Sequence, residues 1–584
     1  MSGIVCYVGR ELCKGNLTAA LQTMKKRGNS VAGAALQQKN FVSIVSNGTS
    51  GLCDEIQKYD GDSTFGIAEC SSIFNNSCAA VPAVNNMYAV AVDGEIENFE
   101  AIERWCKNPF PVNSSEDLLL AMLCVNSSDN KLALIKKIFT AVKGEPTFAF
   151  AQNGDDVLYC HRGDSPLFVG FCDDGYYVAS ELNAIVPYCK KYVFLKYHES
   201  ARIARNRIIF YDSRMKKIKK QAKPCPDYAL FENSYTPSEE VYYCPLVLRE
   251  IYSRIVKKGE IALDELNFTK RSTEKIKRIV ITGNASAYNA SRAAAYYIES
   301  LCDIPCTAVE STQLRCSGAV FDKGTLLLVA SHTGEDNDAA FCIRRAKKFG
   351  AKTIAVTNSA ISYVAEICDY AVNPGADFNS ERVSFREFVS LYMTLCLIGL
   401  YIGKKAGVVS DVYMSLSLKL AEQLPSKILS LIRDEKMMKS IIPQIMQSKR
   451  VFVTGLGADA AIADECAFWL EDVGGVSCSA LSSSNLAALN RESFVGSAIL
   501  CFVTDALLMP KILPMLKRAE FYGAKVMLIA TDAIYEERSN DSNAVTFGDS
   551  MPMLNVLNAA VWGDKLSVFI AQNLSLIHIS EPTR

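Results

Sequence analysis

The sequence predicts an α+β domain of stacked antiparallel sheets, followed by two copies of a doubly wound α/β domain. Three observations predict it. A segment repeats: Arg278-Ile-Val-Ile-Thr-Gly283 returns as Arg450-Val-Phe-Val-Thr-Gly455. The strands of both copies are short, unbroken apolar runs, as parallel strands covered on both faces by helices require. Before about residue 225 the strands instead alternate or are short, and no such repeat is seen.

In the leading domain, strand signals fall at Met87 to Asp93, Phe148 to Gln152, Val157 to Cys160 and Tyr176 to Ser180, with helical stretches near 15–27 and 116–142. The stretch from Pro224 to about Pro245 is rich in Pro, Tyr and Glu and reads as a linker. In the first repeat, Thr325-Leu-Leu-Leu-Val-Ala330 leads through a helical stretch to Phe349-Gly350-Ala351-Lys352 and a further apolar strand. Its counterpart runs from Ala498-Ile-Leu-Cys-Phe-Val503 to Tyr522-Gly523-Ala524-Lys525. The expected domains are 1–225, a linker over 226–254, then 255–410 and 430–573. Residues 574–584 read as the conceptual translation of a sequencing adapter, so His578 and its neighbours are left out of the fold argument.

At 584 residues, 49% hydrophobic and 21% charged, the chain has the composition of a soluble multidomain protein. A net charge of −1 gives no footing for nucleic acid or an anionic membrane surface. The most apolar run, Phe388 to Gly403, is too short to span a bilayer and follows Arg386 and Glu387. The N-terminus has no basic region and does not read as a signal peptide. The 21 scattered cysteines read as reduced, buried thiols, which places the chain in the cytoplasm. With 4 unclustered histidines, no metal site and no cofactor are expected.

The N-terminal words carry a resemblance. Ser2-Gly3-Ile4-Val5 is similar to the Cys-Gly-Ile-Val start of N-terminal-nucleophile, class II glutamine amidotransferases. Arg27-Gly28, Asp93-Gly94-Glu95, Arg162 with Ser165-Pro166-Leu167, and Ala179-Ser180-Glu181 fall in that family's order. The repeat resembles paired sugar isomerase (SIS) domains, and Arg249-Glu250-Ile251-Tyr252 resembles the helix that leads into them. This order of parts, from residue 2 to about residue 573, resembles the glutamine–fructose-6-phosphate aminotransferase (glucosamine-6-phosphate synthase) family. The implied fold is an α+β N-terminal-nucleophile domain followed by two α/β doubly wound SIS domains.

The resemblance puts Ser2 where the family has its cysteine nucleophile. Loss of the initiator Met would still expose an amine, but a hydroxyl ionises far less readily than a thiol. Cys6 has no terminal amine beside it. The family's Asn-Gly oxyanion hole reads Asp93-Gly94, and an ionised Asp accepts where a donor is needed. Ser71 stands where the family places an Arg for glutamine's carboxylate. Ser115-Glu116-Asp117 either keeps an acid for the amino group or is an ordinary helix start. No glutamine turnover is expected.

In the SIS pair, Ser331-His332-Thr333-Gly334-Glu335-Asp336 stands where the family has Ser-Gln-Ser-Gly-Glu-Thr. Hydroxyls and N–H groups at a helix N-terminus can cradle phosphate, though Ser, Thr and Asp are also ordinary caps. Ser286 and Ser384 match further sugar-phosphate positions. Asp336 adds negative charge where the family has Thr. Glu465 and Asp472 match the family's carboxylates, Asp472 with one methylene less reach. Trp469 replaces a Lys, and the ring-opening His falls at Ala488. The family's closing segment, with its Schiff-base Lys, would fall beyond Asn573.

The resemblance thus implies a degenerate paralogue without glutaminase activity that still binds a hexose phosphate, fructose 6-phosphate or glucosamine 6-phosphate. The alternatives are an ammonia-dependent or amination-free sugar-phosphate isomerase, and an SIS-domain scaffold or regulatory subunit. A homodimer, or a heteromer with an active synthase, is expected by the same analogy.

Overall fold

The computed structural model describes residues 2–24, 30–71, 82–106, 112–126, 130–225, 236–334, 336–359, 362–375, 384–536 and 544–580, without the side chains of 437, 535–536 and 574–580. Arg27, Gly28 and Glu335 lie outside these residues. The chain divides into two compact units, Met1–Asn233 and Ser234–Arg584.

In the first unit, two antiparallel sheets stack face to face. Strand Ser2–Gly9 lies inside one sheet, paired with Phe65–Ser71 and Gly175–Ala179. Tyr88–Asp93, Thr147–Gln152 and Val157–His161 adjoin one another in the other. The period-2 rule turns Ile4, Cys6 and Val8 toward Ala89, Ala91, Ala149 and Ala151, and these small residues let the sheets approach. Tyr88, Val90 and Val92 face away, against helices Ser115–Val125 and Lys131–Ala141. Strand Tyr88–Asp93 is therefore buried at every residue. The helix expected over 116–142 is two helices: the first is C-capped by Asn126, and Asn130 caps the second through Ala133 N–H at 3.2 Å.

The second unit holds two parallel sheets of like topology. Strand Arg278–Gly283 lies between Cys306–Glu310 and Thr325–Ala330, followed outward by Lys352–Val356 and Tyr370–Val372. Arg450–Gly455 takes the same place between Cys478–Ala480 and Ser497–Val503, followed by Lys525–Thr531 and Ala544–Phe547. Such an order creates a crevice at the carboxyl ends of the first and third strands, where ligands of doubly wound sheets bind.

Much of the stretch read as a linker is helix. Pro237–Ile255 starts with a capping box between Thr236 and Glu239 and has Pro237 in its first turn, where the missing N–H costs nothing. Its Val241, Leu248 and Ile251 are buried in the unit's core, which the Pro, Tyr and Glu content concealed. Among the described residues, one helix, Phe385–Ala406, is long and apolar enough to cross a membrane, and 94% of its most apolar window is buried inside the protein. Gly403 lets it approach helix Ala285–Cys302: a Cβ there would lie 2.1 Å from the Leu301 carbonyl. The last helix, Pro552–Ser580, buries Trp562.

Candidate functional site

The first unit brings Ser2, Asp93 and Gly94 together. Ser2 Oγ donates to Asp93 Oδ1 at 3.3 Å and accepts from Gly94 N–H at 3.3 Å. The pairing that sets this places Ser2 opposite Ser71 and Ile4 opposite Glu69 on the neighbouring strand. Glu69 is fully buried and accepts from Val92 N–H at 3.1 Å. Burial, then the adjoining Glu116 carboxyl, then Asp93 hold Glu69 well above the usual carboxylate range, against that one bond. Helix Ser115–Val125 supplies Glu116 from its first turn, while Ser114 caps the helix through Asp117 N–H at 3.1 Å. Ser2 thus adjoins the carboxyl group of Asp93, and Asp93 in turn lies near Glu69, against which Glu116 sits. Cys6 points into the core, and burial pushes its thiol well up.

In the second unit, the loops after the first and third strands meet across the crevice. Asn284 Nδ2 donates to Asp336 Oδ2 at 2.9 Å. The other oxygen of Asp336 caps helix Asn337–Lys348 through Ala339 N–H at 2.9 Å, and burial raises its pKa. Asp336 therefore already occupies one donor of that helix terminus. Ser331 Oγ accepts Gly334 N–H at 3.1 Å and keeps its own hydrogen to donate. Gly334 has φ +72°, and a Cβ there would fall 2.0 Å from Ser362 Oγ. His332 is buried, and Asn358 Nδ2 lies 2.8 Å from its Nδ1. Thr333 is half-buried in the same loop.

The remaining candidates are placed otherwise. Ser286 donates to Glu465 Oε1 at 2.7 Å, Trp469 Nε1 donates to the same oxygen at 2.8 Å, and Asn289 Nδ2 donates to Oε2 at 2.9 Å. Glu465 is buried, which raises its pKa against the pull of those three bonds. It bridges the two lobes. Asp472 ends the same helix, exposed and about 10 Å further along the axis at 1.5 Å per residue. Ala488 ends the short helix Ser483–Ala488 and is also exposed. Ser384 caps helix Phe385–Ala406 through Arg386 N–H at 3.2 Å and donates to Glu240 Oε1 at 3.0 Å. Among the described residues, no three His, Cys, Asp or Glu side chains could together hold a metal ion.

Sequence reasoning missed Glu69, Glu240, Asn289, Asn358 and Glu387. Glu69 had a signal, a lone carboxylate inside the apolar strand Phe65–Ser71. Asn358 had none, because its partner His332 sits on a different strand end.

The chain is 25% identical over 545 residues to a glutamine–fructose-6-phosphate aminotransferase [isomerizing] of Caldanaerobacter subterraneus subsp. tengcongensis, covering 88% of each. It is similar to these aminotransferases over most of its length. The counterpart from Clostridium acetobutylicum is 25% identical over 508 residues, 83% of each chain. The SIS domain family model matches residues 274–398, which span the first sheet and most of the buried helix Phe385–Ala406. The C-terminal domain of the Francisella tularensis glucosamine-fructose-6-phosphate aminotransferase superposes with TM-score 0.54 at 21% identity, covering 58% of this chain and 96% of that one. That likeness fixes the fold of the second unit as the aminotransferases' paired SIS architecture.

Proposed function

We propose that this aminotransferase relative has lost glutamine hydrolysis and retains a hexose-phosphate site in its first SIS lobe, at Ser331, His332 and Thr333. It acts as a regulatory or heteromeric partner of an active synthase, or as a sugar-phosphate sensor, and is cytoplasmic and dimeric. The observation that carries the first half is the carboxylate of Asp93 lying 3.3 Å from the hydroxyl of Ser2, with Glu69 and Glu116 nearby. A tetrahedral oxyanion developing here would face negative charge where catalysis needs a donor. For the second half, Ser331 and His332 lie at the crevice with donors turned to no acceptor among the described residues, while Ser286 and Ser384 give their hydrogens to Glu465 and Glu240.

Two measurements on the full chain test this. Glutamate release from glutamine should be undetectable, and turnover would refute the first half. Calorimetry with fructose 6-phosphate should show saturable binding that Ser331→Ala and Thr333→Ala weaken. Absence of binding at millimolar ligand would leave the SIS pair as a scaffold. Conversion of fructose 6-phosphate in the presence of ammonia would instead make the chain an isomerase.

A further inference from the structure

We propose that Asn358 is a positioning residue that holds the proton of His332 on Nε2, making that nitrogen a fixed donor to the phosphate of the bound sugar. The inference rests on the hexose-phosphate reading of the first lobe. His332 is anchored at its backbone first. Its carbonyl accepts Asn358 N–H at 3.1 Å and Thr357 Oγ–H at 3.4 Å, tying the loop after strand Thr325–Ala330 to the end of strand Lys352–Val356. Asn358 is itself held, since its carbonyl accepts Asn373 Nδ2 at 3.1 Å. The ring and the amide therefore meet in a set geometry.

The amide decides the tautomer. A neutral imidazole has one donor and one acceptor nitrogen, and the partner of one determines the role of the other. Asn358 Nδ2 lies 2.8 Å from Nδ1, an orientation in which the amide N–H donates, Nδ1 accepts and the proton belongs on Nε2. His332 is only 5% exposed, and Nε2 has no hydrogen-bond partner among the described residues. A buried N–H of this kind calls for an acceptor. The ring sits beside a second donor, Ser331 Oγ, at the N-terminus of the 12-residue helix Asn337–Lys348, where an oxyanion is favoured. Burial, and the charge of Arg386, push the ring down to about 4. His332 is then a neutral donor throughout the ordinary histidine range. The tautomer, rather than protonation, is what controls it.

The test uses the full-length chain labelled with 15N in its 4 histidines, with His332→Gln assigning the resonance. Long-range 15N–1H correlation reads the tautomer directly, and fructose 6-phosphate is the probe ligand. The expected result is an Nε2–H tautomer whose Nε2 resonance moves on titration. Asn358→Asp replaces the donor by an acceptor, so the proton should move to Nδ1 and affinity should fall about tenfold or more. The tautomer is read on His332 itself, so a merely structural Asn358 would leave the proton on Nε2 in Asn358→Asp. An Nδ1–H tautomer in the parent chain overturns the inference even if sugar phosphate binds. Unchanged affinity in Asn358→Asp overturns it equally. A parent chain with the Nε2–H tautomer that binds no fructose 6-phosphate instead sinks the hexose-phosphate reading, and the ligand assignment with it.

Discussion

Replacing Glu465 by Ala should unfold the SIS pair at distinctly lower denaturant. The carboxylate is 1% exposed and takes three hydrogen bonds: 2.7 Å from Ser286, 2.8 Å from Trp469 and 2.9 Å from Asn289. Bonds to a charged group contribute about 1.5–3 kcal/mol each, but burying the charge returns part of that, as the raised pKa of Glu465 shows. After truncation Ser286 can turn its hydroxyl elsewhere, and half-buried Asn289 can reach water. The Trp469 indole, 4% exposed, is left without its acceptor. With the small cavity, the net cost is about 3–5 kcal/mol. Guanidinium unfolding followed by tryptophan emission suits the question, because Trp469 and Trp562 both report on this unit, whereas Trp105 belongs to the other. Glu465→Gln, which keeps acceptor capacity but turns an amide on one donor, should lose less. A loss under about 1 kcal/mol for Glu465→Ala would refute the bridge and return the carboxylate to substrate chemistry.

Further outcomes follow from the same geometry. Ser2→Cys alone should leave glutamate release undetectable or minimal, and adding Asp93→Asn should raise it about 10²-fold by restoring a donor; equal rates would clear Asp93 of blame. Ala285 has φ +49°, and the corresponding residue of the repeat, Gly457, has φ +63°. Ala285→Gly should therefore stabilise the unit by about 1 kcal/mol in the same denaturant assay, and a destabilisation would contradict the strain. Burial, then Glu465, Asp336 and Glu240, push Glu387 from 4.5 up to about 8. The folded chain keeps that proton where the unfolded chain has released it, so this contribution to stability falls as pH rises from about 4.5 to about 8. Glu387→Gln should flatten that part of a stability-versus-pH profile, and an unaltered slope would dismiss the group.

The sequence by itself determined what depends on local pattern. The repeat and the unbroken apolar runs, such as Thr325–Ala330 and Ser497–Val503, specify parallel strands covered on both faces, and the structure has both sheets. The order of the N-terminal words likewise placed Ser2, Asp93 and Gly94 in one site, which strand pairing then closed to 3.3 Å. The helix over 237–255 was legible only near Arg249–Tyr252, because Pro237 and Pro245 read as breakers unless the first turn and the packed face are known.

Tertiary structure alone decided which polar groups are already used. Ser286, Ser331 and Ser384 look alike in sequence, each a small hydroxyl near a helix start. Long-range contacts give the hydrogens of Ser286 and Ser384 to Glu465 and Glu240, whereas Ser331 Oγ accepts the N–H of Gly334 in its own loop. The same holds for His332, whose Nδ1 lies 2.8 Å from the amide nitrogen of an asparagine on the next strand's end. A hydrogen bond needs its partner's position to within a few tenths of an ångström, and only the folded chain supplies that.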